Sequence, residues 1–517
     1  MTELQVGGEF DVRNLLAGGE RAARWVKVLD QSRCIGCHAC TTACKSENLV
    51  PVGVTRTYVK AVEVGTFPQV RRNFQVTRCN QCEDAPCVAA CPTGAMFRRP
   101  DGIVDFDKRV CIGCKACMAA CPYDAIFINP ADHSAEKCNF CSHRIDAGLE
   151  PACVVVCPVE AILVGDLNDP SSRVAAVVNR DSVTVRRPEK ETRPKVFYRD
   201  ATHATLDPLA ARRPDGGLFM WSEQGEVPHR VTSGAPDGWN SSAAALLAYD
   251  VPHRAPWDWR VSLYTWTKGI SAGAYLAAAI LALAGAIGWG DSLWLTWAPL
   301  VALGMLAATG AILIADLEHP LRFPLIFLRP QWRSWLVRGA FVIGGYGTVL
   351  AVHLLGGSLG GSEGLAKWLA VAGIPLAAAT AAYTAYLFAQ AKARDLWQSP
   401  LLPPHMLVQA LLLGAAVLLP FGHGTHDLQW ILGGAAFAHV LLVLGEITLT
   451  HPTAHAHLAV RELTRGRYAA FFWGGLVLAA VAIAAPLIGV AAVGPALLAV
   501  LLHEHAYVQS GQAVPLA

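Results

Sequence analysis

At 517 residues the chain is longer than one hydrophobic core sustains, so at least two domains are expected. With 53% hydrophobic and 16% charged residues, it is too apolar for an ordinary soluble enzyme. A formal net charge of +2 says nothing about nucleic acid, and with no basic stripe interleaved with aromatics a nucleic-acid partner is not expected.

The first 30 residues lack an apolar core of about 7–15 residues, and Arg21 and Arg24 are not a twin-arginine pair, so no signal peptide is expected. Arg71-Arg72 is such a pair but lies too deep to address the chain. The N-terminal half is therefore expected to stay in the cytoplasm; export of the folded half beside a signal-bearing partner is the alternative.

All sixteen cysteines fall in four groups. They are Cys34-x2-Cys37-x2-Cys40-x3-Cys44, Cys79-x2-Cys82-x4-Cys87-x3-Cys91, Cys111-x2-Cys114-x2-Cys117-x3-Cys121 and Cys138-x2-Cys141-x11-Cys153-x3-Cys157. Three closely spaced thiolates can wrap one face of a cubane, while the fourth points to a neighbouring cluster, so two runs exchange their last ligands. Sixteen thiols at four per cubane predict four [4Fe–4S] clusters with none left over. Runs two and three are adjacent, joined by a strand-turn-strand stretch, and should share: Cys79, Cys82, Cys87 and Cys121 on one cluster, Cys111, Cys114, Cys117 and Cys91 on the next. By elimination Cys34, Cys37, Cys40 and Cys157 hold a third, and Cys138, Cys141, Cys153 and Cys44 a fourth. Zinc sites use separated CxxC pairs rather than triplets, and disulfides need an oxidising compartment. Reading Cys34-Ile-Gly-Cys37-His38 as haem attachment would strand Cys40 and Cys44.

With these groups in this order, residues 30–200 resemble the four-cluster iron–sulfur subunits of molybdopterin oxidoreductases, and GDLNDP at 165–170 and RPKVFY at 193–198 resemble the end of that module. The resemblance implies a series of clusters running from a molybdopterin catalytic partner to the membrane. Residues 201–255, rich in Pro, Gly, Asp and Arg without a sustained period, read as a linker or a docking arm.

Eight apolar stretches of spanning length follow, at about 268–289, 293–315, 336–356, 368–390, 404–421, 428–449, 470–487 and 489–508. On the module side of alternate loops lie Arg254, Arg260, Lys268, Arg322, Arg329, Arg333, Arg338, Lys392, Arg394, Arg461, Arg465 and Arg467; the other side carries Lys367. The positive-inside rule then places the module in the cytoplasm. APWDWRVSLYTWTKGISAG at 255–273, ADLEHPLRFPLIFLRPQWRSWLVRGAF at 315–341 and the terminal SGQAVPLA resemble the polysulfide-reductase (NrfD-type) membrane-subunit family. That resemblance implies a haem-free eight-helix anchor that reacts with quinone, as a diffusible substrate, close to the iron–sulfur side. The family often reads Asp-Leu-Gly-Arg-Pro where this chain has Asp316-Leu317-Glu318-His319-Pro320, so the family's arginine is not carried over.

Ionisable residues within apolar segments are costly and therefore candidates for function. Near the module-side surface Tyr264, Lys268, Asp316, His319 and Arg322 are candidates for the quinone site, Asp316 foremost. His353, His439 and Glu446 are proton-path candidates; the last two, seven apart, would share a helix face. His451, His455 and His457 read as a solvated loop cluster. The expected whole is α+β: a double ferredoxin-like domain over 1–200, a linker over 201–260 and an all-α eight-helix transmembrane bundle over 261–517 in the inner membrane. It would be the electron-transfer and anchor subunit of a respiratory oxidoreductase. A b-type cytochrome anchor using His353 and His439, or a redox-driven proton-translocating module, are the alternatives.

Overall fold

The computed structural model describes residues 23–65, 68–212, 245–358 and 363–517. Residues 1–22, which bear on a targeting signal, lie outside them. The chain is mixed α+β: a small strand-and-helix module followed by a helical region. The strands are β1 (Trp25–Asp30), β2 (Thr57–Val64), β3 (Arg71–Arg78), β4 (Met96–Arg98), β5 (Val104–Phe106), β6 (Ile126–Ile128), β7 (Ala135–Lys137), β8 (Ile162–Asp166), β9 (Val183–Thr184), β10 (Val196–Arg199) and β11 (Ala245–Tyr249). They form a sheet ordered β8-β1-β10-β9, a second ordered β11-β2-β3, and the hairpins β4–β5 and β6–β7. β1 is central, parallel to β10 and antiparallel to β8, so its sequence WVKVLD is buried along nearly its whole length.

Four short helices carry the third cysteine of each run: α1 (Ala39–Glu47), α2 (Pro86–Ala90), α3 (Ala116–Ala120) and α4 (Ala152–Val155). The loops before α1 and α3 turn through left-handed residues, Gly36 and His38 in one and Gly113 and Lys115 in the other. A Cβ at Gly36 would lie 2.3 Å from the Phe74 ring, and one at Gly113 would lie 2.4 Å from Glu318, so both loops need glycine. The two contacts already distinguish the loops, since Phe74 belongs to the module and Glu318 to the helical region.

Reading 201–260 as a linker or docking arm needs correcting for its described part. Ala245–Tyr249 is β11, paired antiparallel with β2 on the module's own sheet, with Leu247 buried and Leu246 exposed. Five residues are too few for an alternation to stand out in sequence. Residues 213–244 lie outside the described ones.

The helical region contains α5 (Trp259–Leu283), α6 (Ala298–Ala315), α7 (Trp335–Ser358), α8 (Glu363–Gln390), α9 (Leu402–Leu418), α10 (Thr425–Thr448), α11 (Ala454–Arg465), α12 (Ala469–Ile483) and α13 (Val493–Ala513). Among the described residues, seven helices are long and apolar enough to cross a membrane, or eight if α11 and α12, bent by 71°, make one span. The first helix runs from 259 to 283 rather than 268 to 289. Its polar opening, SLYTWTK, is buried inside the bundle, which hydropathy alone assigns to water. Exposed Trp259, Trp332 and Trp473 lie toward the module, and exposed Trp297, Trp368 and Trp430 at the far ends, as in aromatic belts at two membrane surfaces.

Candidate iron–sulfur and membrane site

The thiols gather in quartets drawn from different runs. Cys91, Cys111, Cys114 and Cys117 line one cavity, walled by Met96, Phe106 and Ile112. Cys79, Cys82, Cys87 and Cys121 line another, beside Val104, Tyr123 and Ile126. In the other half of the module Cys34 faces Cys37 and Cys157, while Cys44 faces Cys138, Cys141 and Cys153. Among the described residues no three or more His, Cys, Asp or Glu side chains converge tightly enough to hold a single metal ion.

The surroundings suit an anionic iron–sulfide cage. Lys27 Nζ and Arg78 Nη1 lie 3.8 and 3.1 Å from Cys153 Sγ, and Arg78 Nε and Nη2, buried, have no hydrogen-bond partner. Lys137, also buried, donates to the carbonyls of Val104 and Cys138. Cations buried among thiols are tolerated only against negative charge. Burial pushes the Cys40 thiol up to about 11 and Cys44 up to about 12. At Cys153 the same burial is outweighed by Lys27 and Arg78, which bring it down to about 7. Backbone N–H groups of Met96, Ala135 and Ala161 donate to Cys91, Cys111 and Cys157 at 3.3, 3.4 and 3.2 Å.

The two ends of the module differ. Around Cys111–Cys117 the helical region clamps the backbone. Arg322 Nη1 donates to Cys111 O and Lys108 O at 2.9 Å each, Trp257 Nε1 to Cys114 O at 3.3 Å, and His319 N to Ile112 O at 3.2 Å. Ser334 Oγ donates to Ala90 O at 2.8 Å, and Lys115 pairs with Glu318 at 3.2 Å. At the opposite end Cys37 is exposed, Cys34 and Cys157 are half-buried, and Ile35 and Val155 are 56% and 63% exposed beside them.

Directly under the clamped loop sits Asp316, at the C-terminal end of α6. Its Oδ1 is buried without a hydrogen-bond partner, 3.6 Å from Lys115 Nζ and 3.9 Å from Arg260 Nη1. Burial outweighs both cations and pushes the carboxyl up to about 6. His319 and Arg322 are turned to the module, His319 Nε2 lying 3.4 Å from Ser134 Oγ, and act as clamps. Lys268 is not near the surface: it lies nine residues into α5, about 14 Å deep by helix rise. There its Nζ donates to Thr384 Oγ1 at 2.6 Å and Ala381 O at 2.9 Å, and it lies over the Tyr383 ring. Tyr264, one turn nearer the module, is buried and also bonds Thr384.

Other expectations shift. His353 meets Tyr275 OH at 3.2 Å and the Trp294 ring, whereas His439 meets His405 Nε2 at 2.8 Å, so these two histidines have separate partners. Glu446 does not pair with His439; its Oε2 accepts from Ser399 Oγ at 2.8 Å. His455 is buried on α11 rather than solvated, while His457 of the same helix is exposed.

Comparison with known proteins agrees with this geometry. Models described as "4Fe-4S dicluster domain" match residues 33–95 and 70–167, and one described as "Polysulphide reductase, NrfD" matches residues 250–502. A tetrathionate reductase subunit of Salmonella typhimurium is 42% identical over 209 residues, 40% of this chain and 82% of that protein. The arsenate respiratory reductase iron–sulfur subunit of Shewanella sp. is 36% identical, over 33% of this chain and 94% of that protein. A polysulfide reductase component of Wolinella succinogenes is 40% identical, over 34% of this chain and 94% of that protein.

The protein belongs to the 4Fe–4S dicluster family, fused to an NrfD-type membrane domain. It is a multi-pass iron–sulfur electron-transfer subunit related to those of reductases. Within the NrfD-type domain, sequence reasoning missed Glu504, Gln409, His405 and His503. Glu504 lines one small buried cavity with Thr265, Lys268 and Gln409. The run His503-Glu504-His505 inside an otherwise apolar stretch was the available signal.

Proposed function

We propose that this protein wires a molybdopterin catalytic partner to membrane quinone through four [4Fe–4S] clusters, one in each thiol quartet. One observation carries the reading: the quartet Cys91, Cys111, Cys114 and Cys117 is clamped onto the loop that presents Asp316, above the buried polar interior of Tyr264, Thr384 and Lys268. When bound, the clusters supply one-electron donors and acceptors in series. The protein's own residues do the rest. Arg322, Trp257 and Ser334 hold the quartet on the anchor, and Met96, Phe106 and Ile112 keep water from it. Asp316, pushed up to about 6, is suited to take and return a proton of a quinone oxygen near neutral pH.

The outer end, where Cys37, Ile35 and Val155 are all exposed, is the face for the catalytic partner. The relatives' names, components of tetrathionate, arsenate and polysulfide reductases, support a reductase there. Arg260, Arg322 and Arg394 have structural partners, but exposed Arg333 and Lys392 still favour a cytoplasmic module in the inner membrane over the Lys367 side. The test is anaerobic purification of the full-length protein followed by addition of a short-chain naphthoquinol. About sixteen irons per polypeptide, measured colorimetrically, and reduction of the clusters by the quinol are expected. Zinc in place of iron, or clusters inert to every quinol, would refute it.

A further inference from the structure

Quinone chemistry moves protons as well as electrons. Oxidising one quinol to quinone breaks two O–H bonds, sends two electrons to two one-electron acceptors in the cluster series, and releases two protons that need a destination inside a low-dielectric bundle. Beyond Tyr264 and Lys268 lies a group of buried polar side chains that the proposed function does not employ.

Glu504, on α13, faces Lys268 of α5. Thr265, Lys268, Gln409 and Glu504 wall a cavity of about 10 Å³, room for a single water. Gln409 shares that cavity with Glu504 and stands four residues after His405 on α9, hence on the same helix face. His405 Nε2 lies 2.8 Å from His439 Nδ1, and the His503 ring is 5.1 and 5.0 Å from those two rings. All three imidazoles are buried. On the other side, Lys268 and Tyr264 share Thr384, and Tyr264 is close enough to feel both Asp316 and Glu504. The ionisable groups that sense Glu504 are Lys268 and Tyr264 from α5 and Tyr507 of its own helix; His405, His439 and His503 form a separate cluster that starts one helical turn from Gln409 on α9.

A buried acid and a buried amine are a poor way to stabilise a bundle, because apolar packing of equal volume does as well without desolvating polar groups. Three imidazoles in mutual contact add nothing to packing that leucines would not, yet each carries one nitrogen that gives and one that takes a proton. We propose that Glu504 and Lys268, joined through Gln409 to His405, His439 and His503, form a buried proton reservoir that accepts protons from a quinol held near Tyr264 and Asp316, and returns them to a quinone. The inference rests on the quinone reading. On oxidation the first proton passes by way of Tyr264 and Thr384 to the Glu504–Lys268 pair. It then moves to the imidazoles, freeing the pair for the second.

The experiment uses the full-length protein with its clusters and a short-chain naphthoquinol, following cluster absorbance by stopped flow. If the wild type does not react, the quinone reading fails and this inference falls with it. With a reactive wild type, Glu504→Gln is expected to keep its iron while kcat drops about a hundredfold, with KM within about twofold. Glu504→Asp should restore at least about a tenth of the rate, and His439→Gln should shift the pH profile of kcat. A carboxyl band in the quinol-minus-quinone infrared difference spectrum should vanish in Glu504→Gln. If Glu504→Gln cannot assemble around an unpaired Lys268, the neutral pair Lys268→Met with Glu504→Gln replaces it, with the same expected loss. Wild-type rates and pH profiles in these variants, or a loss that Glu504→Asp does not relieve and that leaves the pH profile unmoved, would overturn the proposal.

Discussion

The first and third cysteine runs share the same Cys-Ile-Gly-Cys loop, left-handed glycine included, yet they sit at opposite ends of the module. In the first, Gly36 leaves room for Phe74, and Cys37 beyond it is exposed among apolar side chains. In the third, Gly113 leaves room for Glu318, and the backbone around it is clamped by Arg322, Trp257 and His319. One loop is thus left open at the surface and the other is sealed to the membrane domain. A ligand motif sets what is bound, whereas direction along the module comes from what packs on the outside of the loop.

The sharpest way to break this contrast is to remove one thiol at each end. Cys111→Ser and Cys37→Ser should each cost about a quarter of the iron, or convert one cluster, as iron assay and EPR will report. Their consequences should differ. Cys111→Ser is expected to abolish reduction of the remaining clusters by quinol, while Cys37→Ser leaves that reduction intact and stops transfer to the catalytic partner. Sixteen irons with unchanged EPR in Cys111→Ser would remove the ligand assignment.

A smaller effect is expected from the clamp itself. Arg322 places one charged nitrogen on two backbone carbonyls, Lys108 and Cys111, at the start of the third run. Hydrogen bonds from charged donors contribute roughly 1.5–3 kcal/mol each, so Arg322→Ala should weaken module docking by about 3 kcal/mol. Limited proteolysis at the junction should accelerate accordingly. Arg33, whose partners Glu160 Oε2 and Glu160 O belong to the open end, is the control: Arg33→Ala should leave docking unchanged.

How much of this was legible in the sequence follows from distance along the chain. The cysteine runs announce themselves because most of the ligands of one cubane come from a short local segment. The helices likewise show as apolar stretches, since span length is a local property. By contrast Lys268 and Glu504 come to one cavity, and His405 meets His439, across helix–helix contacts that leave no local periodicity. An apolar window averages such residues away: His503-Glu504-His505 sits among leucines and alanines and barely alters the stretch around it. His319 and Arg322 stand out in their loop as polar groups at a membrane surface, which points to quinone, yet both face the module. That a loop residue turns to the module rather than to the bundle depends on docking, which sequence spacing does not encode.

The sealed end should also respond to pH in a way the open end does not. Burial holds Asp316 at about 6, above the ordinary value near 4. A carboxyl raised by folding is protonated in both states below about pH 4, so it costs nothing there. Between about pH 4 and 6 the unfolded chain ionises first, and the folded state loses stability progressively; above about 6 the loss is constant. Asp316→Asn should therefore leave stability unchanged in acid and raise it by roughly 3 kcal/mol at neutral pH. The difference should open across that window in thermal melts of the intact protein. A gain that is equally large at pH 4 would mean that Asp316 is strained by packing rather than by the burial of its charge, and the carboxyl would then lose its claim to exchange protons beside the clamped quartet.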